Sequence, residues 1–230
     1  MNSPPQGRPK ADALPRGADA KGVLSASRRV GLFGGTFDPV HNAHVALAHA
    51  ALHGLALDEV RWVPTGHSWQ KGHHATAAEH REAMVRLAMA GEPRFVLDRI
   101  EIERPGPSYT LDTVRQLHAA EPTTEWVLII GQDQYAGLHT WRDWSELLGL
   151  VTLAVANRPG TTATPHAEVL AHPHRAVPLP MLDISATDIR QRVATGADIS
   201  QLVPPQVARY IETHRLYRGL AAGESTPQGS

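Results

Sequence analysis

The fold of this chain is constrained most strongly by a regular alternation of short apolar runs with segments of helical periodicity. The apolar runs predict strands at 30–33, 60–63, 95–97, 125–130 and 151–156. The segments between and after them predict helices that begin near Ala43, Ala78, Tyr109, Gln132, Trp141, Ser185 and Pro205. This alternation favours an α/β fold, a Rossmann-like, doubly wound and mostly parallel sheet with helices on both faces.

The chain length and the composition of its two ends predict one folded domain. A chain of 230 residues can bury one substantial core, and α/β domains of this size are common. Residues 1–27 and 220–230 contain few large apolar side chains, and we expect both to be disordered tails. The folded domain is therefore expected at 28–219, and within it the segment 158–175 carries no predicted element.

The charge and cysteine content exclude several classes of function. The 22 basic residues nearly balance the 23 acidic residues, so no overall field attracts nucleic acid or an anionic membrane. The chain has no cysteine, which excludes disulfides and thiolate metal sites. No apolar run approaches the roughly 20 residues of a membrane-spanning helix. We expect a soluble, cytoplasmic protein whose partners are small molecules.

The segment 34–44 reads Gly-Gly-Thr-Phe-Asp-Pro-Val-His-Asn-Ala-His and joins the first predicted strand to the first predicted helix. Gly34 and Gly35 allow backbone N–H groups to approach a ligand with no Cβ in the way. Pro39 precedes a helix start, where free N–H groups and the helix dipole favour an anion. His41 and His44 are three residues apart, so both imidazoles can reach the same anion. A phosphate site is predicted here.

Two other interpretations of the histidines exist. Either histidine alone is more simply a surface residue, since the chain holds 14 of them. A zinc site is a second alternative, but the segment has no H-E-x-x-H pattern and no cysteine partner. The combination of strand, glycine turn, proline and paired histidines favours phosphate binding.

A second segment, Ile-Ser-Ala-Thr-Asp-Ile-Arg at 184–190, also begins a predicted helix. Ser185 is placed as an N-cap with Asp188 in the first turn, and capping alone would explain that pair. Arg190 lies early in the helix, where a guanidinium can extend toward phosphates gathered at the helix start. The alternative for Arg190 is a solvated surface side chain.

Together these segments resemble those of bacterial nicotinate-nucleotide adenylyltransferases. Segment 34–44 is similar to the family pattern G-G-T-F-D-P-x-H-x-G-H, with Ala43 where the family usually carries glycine, and segment 184–190 is similar to I-S-x-T-x-x-R. Pro-Ser-Tyr-Thr at 107–110 and Ile-Gly-Gln-Asp at 130–133 match further family segments. The resemblance extends from about residue 29 to about residue 218.

The resemblance implies roles for individual residues of a nucleotidyltransferase domain at 28–219. The implied catalytic residues are His41, His44 and Arg190. The implied ATP-binding residues are Gly34, Gly35, Thr36, Phe37, Lys71, Asp133, Ser185 and Thr187. The implied pyridine-nucleotide-binding residues are Tyr109, Thr110, Trp141 and Arg142, with backbone amides as donors. Three structural alternatives stay open: a helix cap for Asp133, a core side chain for Trp141, and a helix start for Tyr109 and Thr110.

The reaction that the resemblance implies joins the adenylyl group of ATP to nicotinic acid mononucleotide, giving deamido-NAD and pyrophosphate in NAD biosynthesis. Mg²⁺ is implied with ATP, held largely by the phosphates, so no metal site built from protein side chains is expected. The implied partners are ATP and nicotinic acid mononucleotide, with neither nucleic acid nor membrane, and the sequence does not decide between monomer and homo-oligomer.

Three competing functions keep part of the pattern. A pantetheine-phosphate adenylyltransferase or a cytidylyltransferase for lipid head groups would share the histidine segment but lack the combination at 107–110 and 130–133. A nucleotide-binding sensor would keep the fold without turnover. ATP consumption that depends on a mononucleotide would separate the enzyme from the sensor.

Overall fold

A computed structural model describes residues 27–66, 75–157, 164–179 and 182–218 of the chain. Its strands are β1 (Arg29–Gly35), β2 (Glu59–Pro64), β3 (Phe95–Leu97), β4 (Glu125–Ile130), β5 (Thr152–Asn157) and β6 (His174–Pro178). They form one central six-stranded sheet in the order β3-β2-β1-β4-β5-β6, with every neighbouring pair parallel. This order is that of a doubly wound Rossmann-like sheet, and it confirms the predicted fold class.

The helices of the described residues follow the strands in chain order. They are α1 (Asn42–Gly54), α2 (Ala78–Met89), α3 (Ile100–Glu103), α4 (Thr110–Ala120), α5 (Gln132–Ala136), α6 (Trp144–Leu150), α7 (Ala167–Leu170), α8 (Ala186–Ala194) and α9 (Pro205–Thr213). A short 3₁₀ turn, Leu138–Thr140, stands between α5 and α6. In the part of the chain that the structure describes, no helix is both long and apolar enough to cross a membrane.

The two faces of the sheet bury two separate apolar cores. Adjacent strand residues point to opposite faces, so Phe33 packs in the first core while Leu32 packs in the second. The first core is completed by side chains of α1, α2, α8 and α9, and the second by side chains of α4 to α7. Helices therefore cover both faces, and the loops that leave the carboxyl ends of the strands share one edge of the sheet.

The structure differs from the sequence-based expectation in four elements. Helix α3 was not predicted. Helix α7 lies within the segment 158–175, where no element was predicted, and strand β6 begins in that segment and continues beyond it. In β6 only Val177 is buried, because the strand forms the sheet edge and carries no apolar run that would reveal it. The helix expected near Trp141 begins at Trp144, because the 3₁₀ turn and the left-handed Asp143 (φ 49°) come first.

Candidate functional site

A cleft of about 1200 Å³ opens at the carboxyl ends of the central strands. Its lining includes the ends of β1, β4 and β5 and the first turns of α1, α4, α5 and α8. The sequence-predicted residues that the structure places in this lining are Gly34, Gly35, Thr36, Phe37, His41, His44, Tyr109, Thr110, Asp133, Trp141, Arg142, Ser185, Thr187 and Arg190. Ala43 also lines the cleft, whereas Lys71 lies outside the described residues.

The two histidines stand together at the start of α1. His41 is the N-cap residue and only 7% exposed, and its ring stacks on that of His44 with 3.6 Å between centroids. The His41 backbone N–H donates to Nδ1 of His44 at 3.2 Å. Because Nδ1 accepts, the proton of a neutral His44 imidazole sits on Nε2. His44 is thereby held in the tautomer that can donate to an anion in the cleft.

The backbone donors at the start of α1 are partly occupied within the protein. The Asn42 N–H donates to the Leu202 carbonyl at 2.9 Å, and the His41 N–H donates to Nδ1 of His44. The sequence predicted these first N–H groups as anion donors. Two of them therefore already have acceptors within the protein.

An aromatic layer supports the histidines from below. Phe37 has a left-handed backbone (φ 51°), is only 2% exposed and meets the His44 ring edge-on at 5.1 Å. Its ring also lies 5.5 Å from Phe33, which contacts Trp62 at 4.8 Å. Phe37 therefore lines the cleft, and its ring holds the His44 imidazole in position.

Asp38 is a buried junction of the site, and the sequence assigned it no role. Its carboxylate accepts from the Tyr217 hydroxyl at 2.7 Å and from the Thr76 N–H at 3.1 Å. Burial, followed by the nearby Asp38 charge, raises the pKa of Tyr217, so the phenol keeps the proton that it donates. The contact joins residues 179 positions apart, which no local pattern could reveal.

Arg81 is a second buried polar residue that sequence reasoning missed. It is 2% exposed, and its guanidinium donates to the carbonyls of Thr36, Thr76 and Gly66 at 2.8 to 3.1 Å. Burial lowers its pKa, partly opposed by the charge of Asp38. A signal existed in the sequence, because Arg81 falls on the buried stripe of α2 together with Met84, Val85 and Ala88.

The second motif reaches the first through Arg190. Its guanidinium donates to the Asp38 carbonyl at 2.7 Å and contacts the Thr187 hydroxyl at 3.3 Å. The predicted N-cap is confirmed, since Ser185 Oγ accepts from the Asp188 N–H at 3.1 Å. Arg190 is thus an anion-binding candidate and also a tie between α8 and the loop after β1.

The other wall of the cleft carries the predicted pyridine-site residues. The Arg142 guanidinium lies over the Tyr109 ring at 4.4 Å and donates to Asp112 at 3.1 Å. Trp141 is partly buried against the second core and also lines the cleft. Its backbone N–H donates to the Leu138 carbonyl at 2.9 Å. That amide is therefore a poorer ligand donor than the sequence interpretation assumed.

A buried carboxyl, Glu101, lines the floor beneath this wall. It accepts from the Thr113 hydroxyl at 2.8 Å, and Arg104 donates to the same hydroxyl at 2.8 Å. Burial raises the pKa of Glu101, while Thr113 and Arg104 oppose that shift. The sequence placed no functional residue here.

The cleft offers no protein cage for a metal in the part of the chain that the structure describes. No group of three histidine, aspartate or glutamate side chains with converging ligand atoms lies in it. Asp38 has both carboxylate oxygens engaged by Tyr217 and Thr76. The chemistry that the cleft supports is anion binding by imidazole, guanidinium and backbone N–H groups.

Comparison with known proteins places the chain among nucleotidyltransferases. A family model described as cytidylyltransferase-like matches residues 32–192. A protein of Methylibium petroleiphilum named "Probable nicotinate-nucleotide adenylyltransferase" is 50% identical over 199 residues, covering 84% of this chain and 94% of the relative. A protein of the same name from Albidiferax ferrireducens is 47% identical over 195 residues, covering 83% and 98%.

Solved structures show the same fold. The Plasmodium falciparum nicotinic acid mononucleotide adenylyltransferase complexed with NaAD matches with a TM-score of 0.70 at 19% identity, covering 83% of this chain and 97% of that one. The same enzyme complexed with APC matches with a TM-score of 0.68. At this identity the likeness concerns the arrangement of the backbone.

Proposed function

The chain belongs to the cytidylyltransferase-like family and, within it, to the nicotinate-nucleotide adenylyltransferases, and we propose on that premise that it transfers the adenylyl group of ATP to nicotinic acid mononucleotide. The products are deamido-NAD and pyrophosphate, and the reaction serves NAD biosynthesis. We also propose that the protein works in the cytoplasm on these small molecules, in line with its lack of cysteine and near-zero net charge.

One observation carries the proposal: both phosphate-binding motifs line the same cleft and are joined there. Arg190 donates to the Asp38 carbonyl within the loop that leads to His41 and His44. Histidine donors at the start of α1 and a guanidinium from α8 therefore face one volume. A triphosphate is a ligand that uses donors from both sides.

The reaction follows from that arrangement without a general base. An oxygen of the mononucleotide phosphate attacks the α-phosphorus of ATP, and the bond from that phosphorus to the β-phosphate bridging oxygen breaks. A phosphate monoester has its second pKa near about 6 and is mostly dianionic at neutral pH, so no proton has to be removed. The protein aligns two anions that repel each other and stabilises charge on the α-phosphate. We assign these roles to His41, His44 and Arg190.

Mg²⁺ enters as part of the substrate, MgATP. Mg²⁺ keeps several waters and is commonly held by substrate phosphates with one or two carboxylates. Such binding suits a cleft in which the described residues provide no three-ligand cluster. When bound, the ion neutralises charge on the departing pyrophosphate.

Selection of the acid over the amide is assigned to the wall formed by Tyr109, Thr110 and Arg142. Thr110 is the first residue of α4, where unpaired helical N–H groups and the dipole favour a carboxylate. Arg142 adds a positive charge beside Tyr109. A carboxamide would place an NH₂ donor against these donors, which costs binding free energy.

The test is pyrophosphate release with ATP and either nicotinic acid mononucleotide or nicotinamide mononucleotide. We expect kcat/KM for the acid to be higher by at least about tenfold, since loss of a charged hydrogen bond costs 1.5–3 kcal/mol. Equal or better turnover of the amide would contradict the assignment. CTP replaces ATP in a third arm, and a preference for CTP would contradict adenylyl transfer.

Arg142→Gln should narrow the preference for the acid while sparing turnover of the amide. Arg115→Gln is the matched control, because Arg115 lies on α4 and pairs with Glu146 at 2.6 Å without lining the cleft. If Arg142→Gln kept the wild-type preference for the acid, the selectivity would have to be assigned to the backbone N–H donors instead of the Arg142 charge.

A further inference from the structure

A cluster of metal-ligating side chains lies away from the cleft, at the far end of α1. Ligand atoms of His49, His53 and Glu92 all lie within 4.8 Å of one another. The two histidines are one helical turn apart on α1, and Glu92 comes from the turn between α2 and β3. His53 is nine residues beyond His44, or about 14 Å along the helix axis.

Packing and hydrogen bonds hold these side chains in place. The His49 ring packs on Phe95 at 4.7 Å, and the His49 and His53 rings are within 5° of parallel. Arg94 donates its backbone N–H and Nε to Oε1 of Glu92 at 3.1 and 3.0 Å, and Nη2 to Oε2 at 3.2 Å. Hydrogen bonds of this kind orient ligating carboxylates in metal sites and leave lone pairs available for the ion.

The local field favours a cation despite the charge of Arg94. Glu92 supplies a carboxylate oxygen to the cluster. His53 lies in the last turn of α1, where the helix dipole presents its negative end. The carboxylate and the C-terminal end of α1 therefore both lie beside the two imidazoles.

We propose that His49, His53 and Glu92 bind one divalent transition metal ion, of which Zn²⁺ is the best fit. Two imidazole nitrogens and one carboxylate oxygen form a ligand set that suits Zn²⁺ and disfavours Mg²⁺ and Ca²⁺. Metal–ligand distances of about 2.0–2.2 Å require donor atoms about 3.4 Å apart. The ligand atoms of the cluster lie within 4.8 Å of one another, and rotation of the exposed His53 side chain brings them to the shorter distance that the metal requires. Water completes the coordination.

Binding at this site stabilises the fold without entering the nucleotide cleft. The ion links the end of α1 to the turn before β3, two segments that the chain separates by the whole of β2 and α2. A ligand that binds only the folded chain raises the apparent melting temperature. The site is therefore a structural one, independent of the proposed transferase reaction.

The test uses the full chain after treatment with a chelator and dialysis. Calorimetric titration with Zn²⁺ and thermal unfolding are compared for the wild type, His53→Gln and Glu92→Gln, without nucleotide. We expect one site in the wild type, a Zn²⁺-dependent rise in melting temperature, and an affinity at least about tenfold weaker in each variant. Mg²⁺ at the same concentration should leave the melting temperature unchanged.

His214→Gln is the control, because His214 is exposed and lies outside the cluster. It should bind Zn²⁺ as the wild type does. Wild-type affinity in both His53→Gln and Glu92→Gln, or no binding to the wild type at 100-fold excess, would overturn the proposal. His53 and Glu92 lie outside the cleft lining, so adenylyl transfer in the same samples should be unaffected. Loss of transfer alone would bear on the proposed function instead.

Discussion

At the scale of single residues, the site depends on which atoms are already engaged inside the protein. His44 accepts from the His41 N–H at Nδ1, so the proton of its neutral ring sits on Nε2. Arg190 has one nitrogen on the Asp38 carbonyl, so it is partly structural. These commitments make the two residues respond differently to substitution, because removal of Arg190 also loosens the loop after β1.

His44→Ala should lower turnover by at least about 100-fold, the effect of removing one donor to charge that develops in a transition state. The stability cost should be about 1–2 kcal/mol, because the substitution removes the hydrogen bond from the His41 N–H at the helix start. Initial rates of pyrophosphate release and urea unfolding measure the two effects. A loss of activity that only follows unfolding would support the structural interpretation of the histidines.

Glu101→Gln should change how stability depends on pH. Burial raises the pKa of Glu101 in the folded state, so its contribution to stability is present below the ordinary glutamate pKa of about 4.3 and is lost as pH rises through the raised value. The variant lacks this loss. Its free energy of unfolding should therefore gain on that of the wild type as pH rises above about 4.3.

Urea unfolding at several pH values measures this difference. Glu103→Gln is the control, because Glu103 is on the same short helix and 62% exposed. It should follow the wild-type profile. A wild type that gains stability relative to Glu101→Gln with rising pH would show that Arg104 outweighs burial at Glu101.

At the scale of elements, the loop after β1 is held by neighbours that arrive from other parts of the chain. Arg81 of α2 bonds the Thr36 carbonyl, and Arg190 of α8 bonds the Asp38 carbonyl. The end of β2 is equally constrained, since a Cβ on Gly66 would overlap the Glu101 carbonyl oxygen of α3. Close packing of this turn on α3 therefore requires glycine.

Gly66→Ala should destabilise the fold by about 1–3 kcal/mol, because a backbone carbonyl must move to admit the methyl group. Gly54→Ala is the matched control, with no atom within 4 Å of the added Cβ at the end of α1. It should be neutral or stabilising by up to about 1 kcal/mol. Thermal unfolding of both variants measures the change in melting temperature. Equal melting temperatures would mean that the turn at Gly66 moves away from α3 at little cost in stability.

At the scale of the whole molecule, the last described segment of the chain contacts the loop that follows the first strand. The Tyr217 hydroxyl donates to the buried Asp38 carboxylate, joining the segment after α9 to the loop between β1 and α1. Tyr217 is 7% exposed and belongs to the first core. The Asp38–Tyr217 pair therefore connects the first core, to which Tyr217 belongs, with the cleft, which Asp38 lines.

Tyr217→Phe should cost about 1–3 kcal/mol of unfolding free energy, because a buried carboxylate loses a donor. Tyr210→Phe is the control, since its hydroxyl contacts His80 at 3.0 Å in a less buried position. We expect that variant to lose about 0.5–1 kcal/mol. Urea unfolding of both variants gives the two losses of unfolding free energy. A larger loss in Tyr210→Phe would contradict a stabilising role for the buried Asp38–Tyr217 hydrogen bond.

The sequence by itself determined the features that depend on near neighbours. Strand β4 is found at its predicted bounds and Ser185 caps α8 as expected, because apolar periodicity and capping act within a few residues. Twelve sequence-predicted site residues from the four family segments also line one cleft, since the loops after parallel strands meet at one edge of the sheet.

Only the tertiary structure decided the contacts between distant segments. The Asp38–Tyr217 pair spans 179 positions and the contact of Arg81 with Thr36 spans 45, and neither leaves a local pattern. Edge strand β6 escaped prediction for a related reason, because its pairing with β5 rather than its own side chains makes it a strand. Chain packing sets which polar groups are buried together, so the supports of the site appear only once the chain is folded.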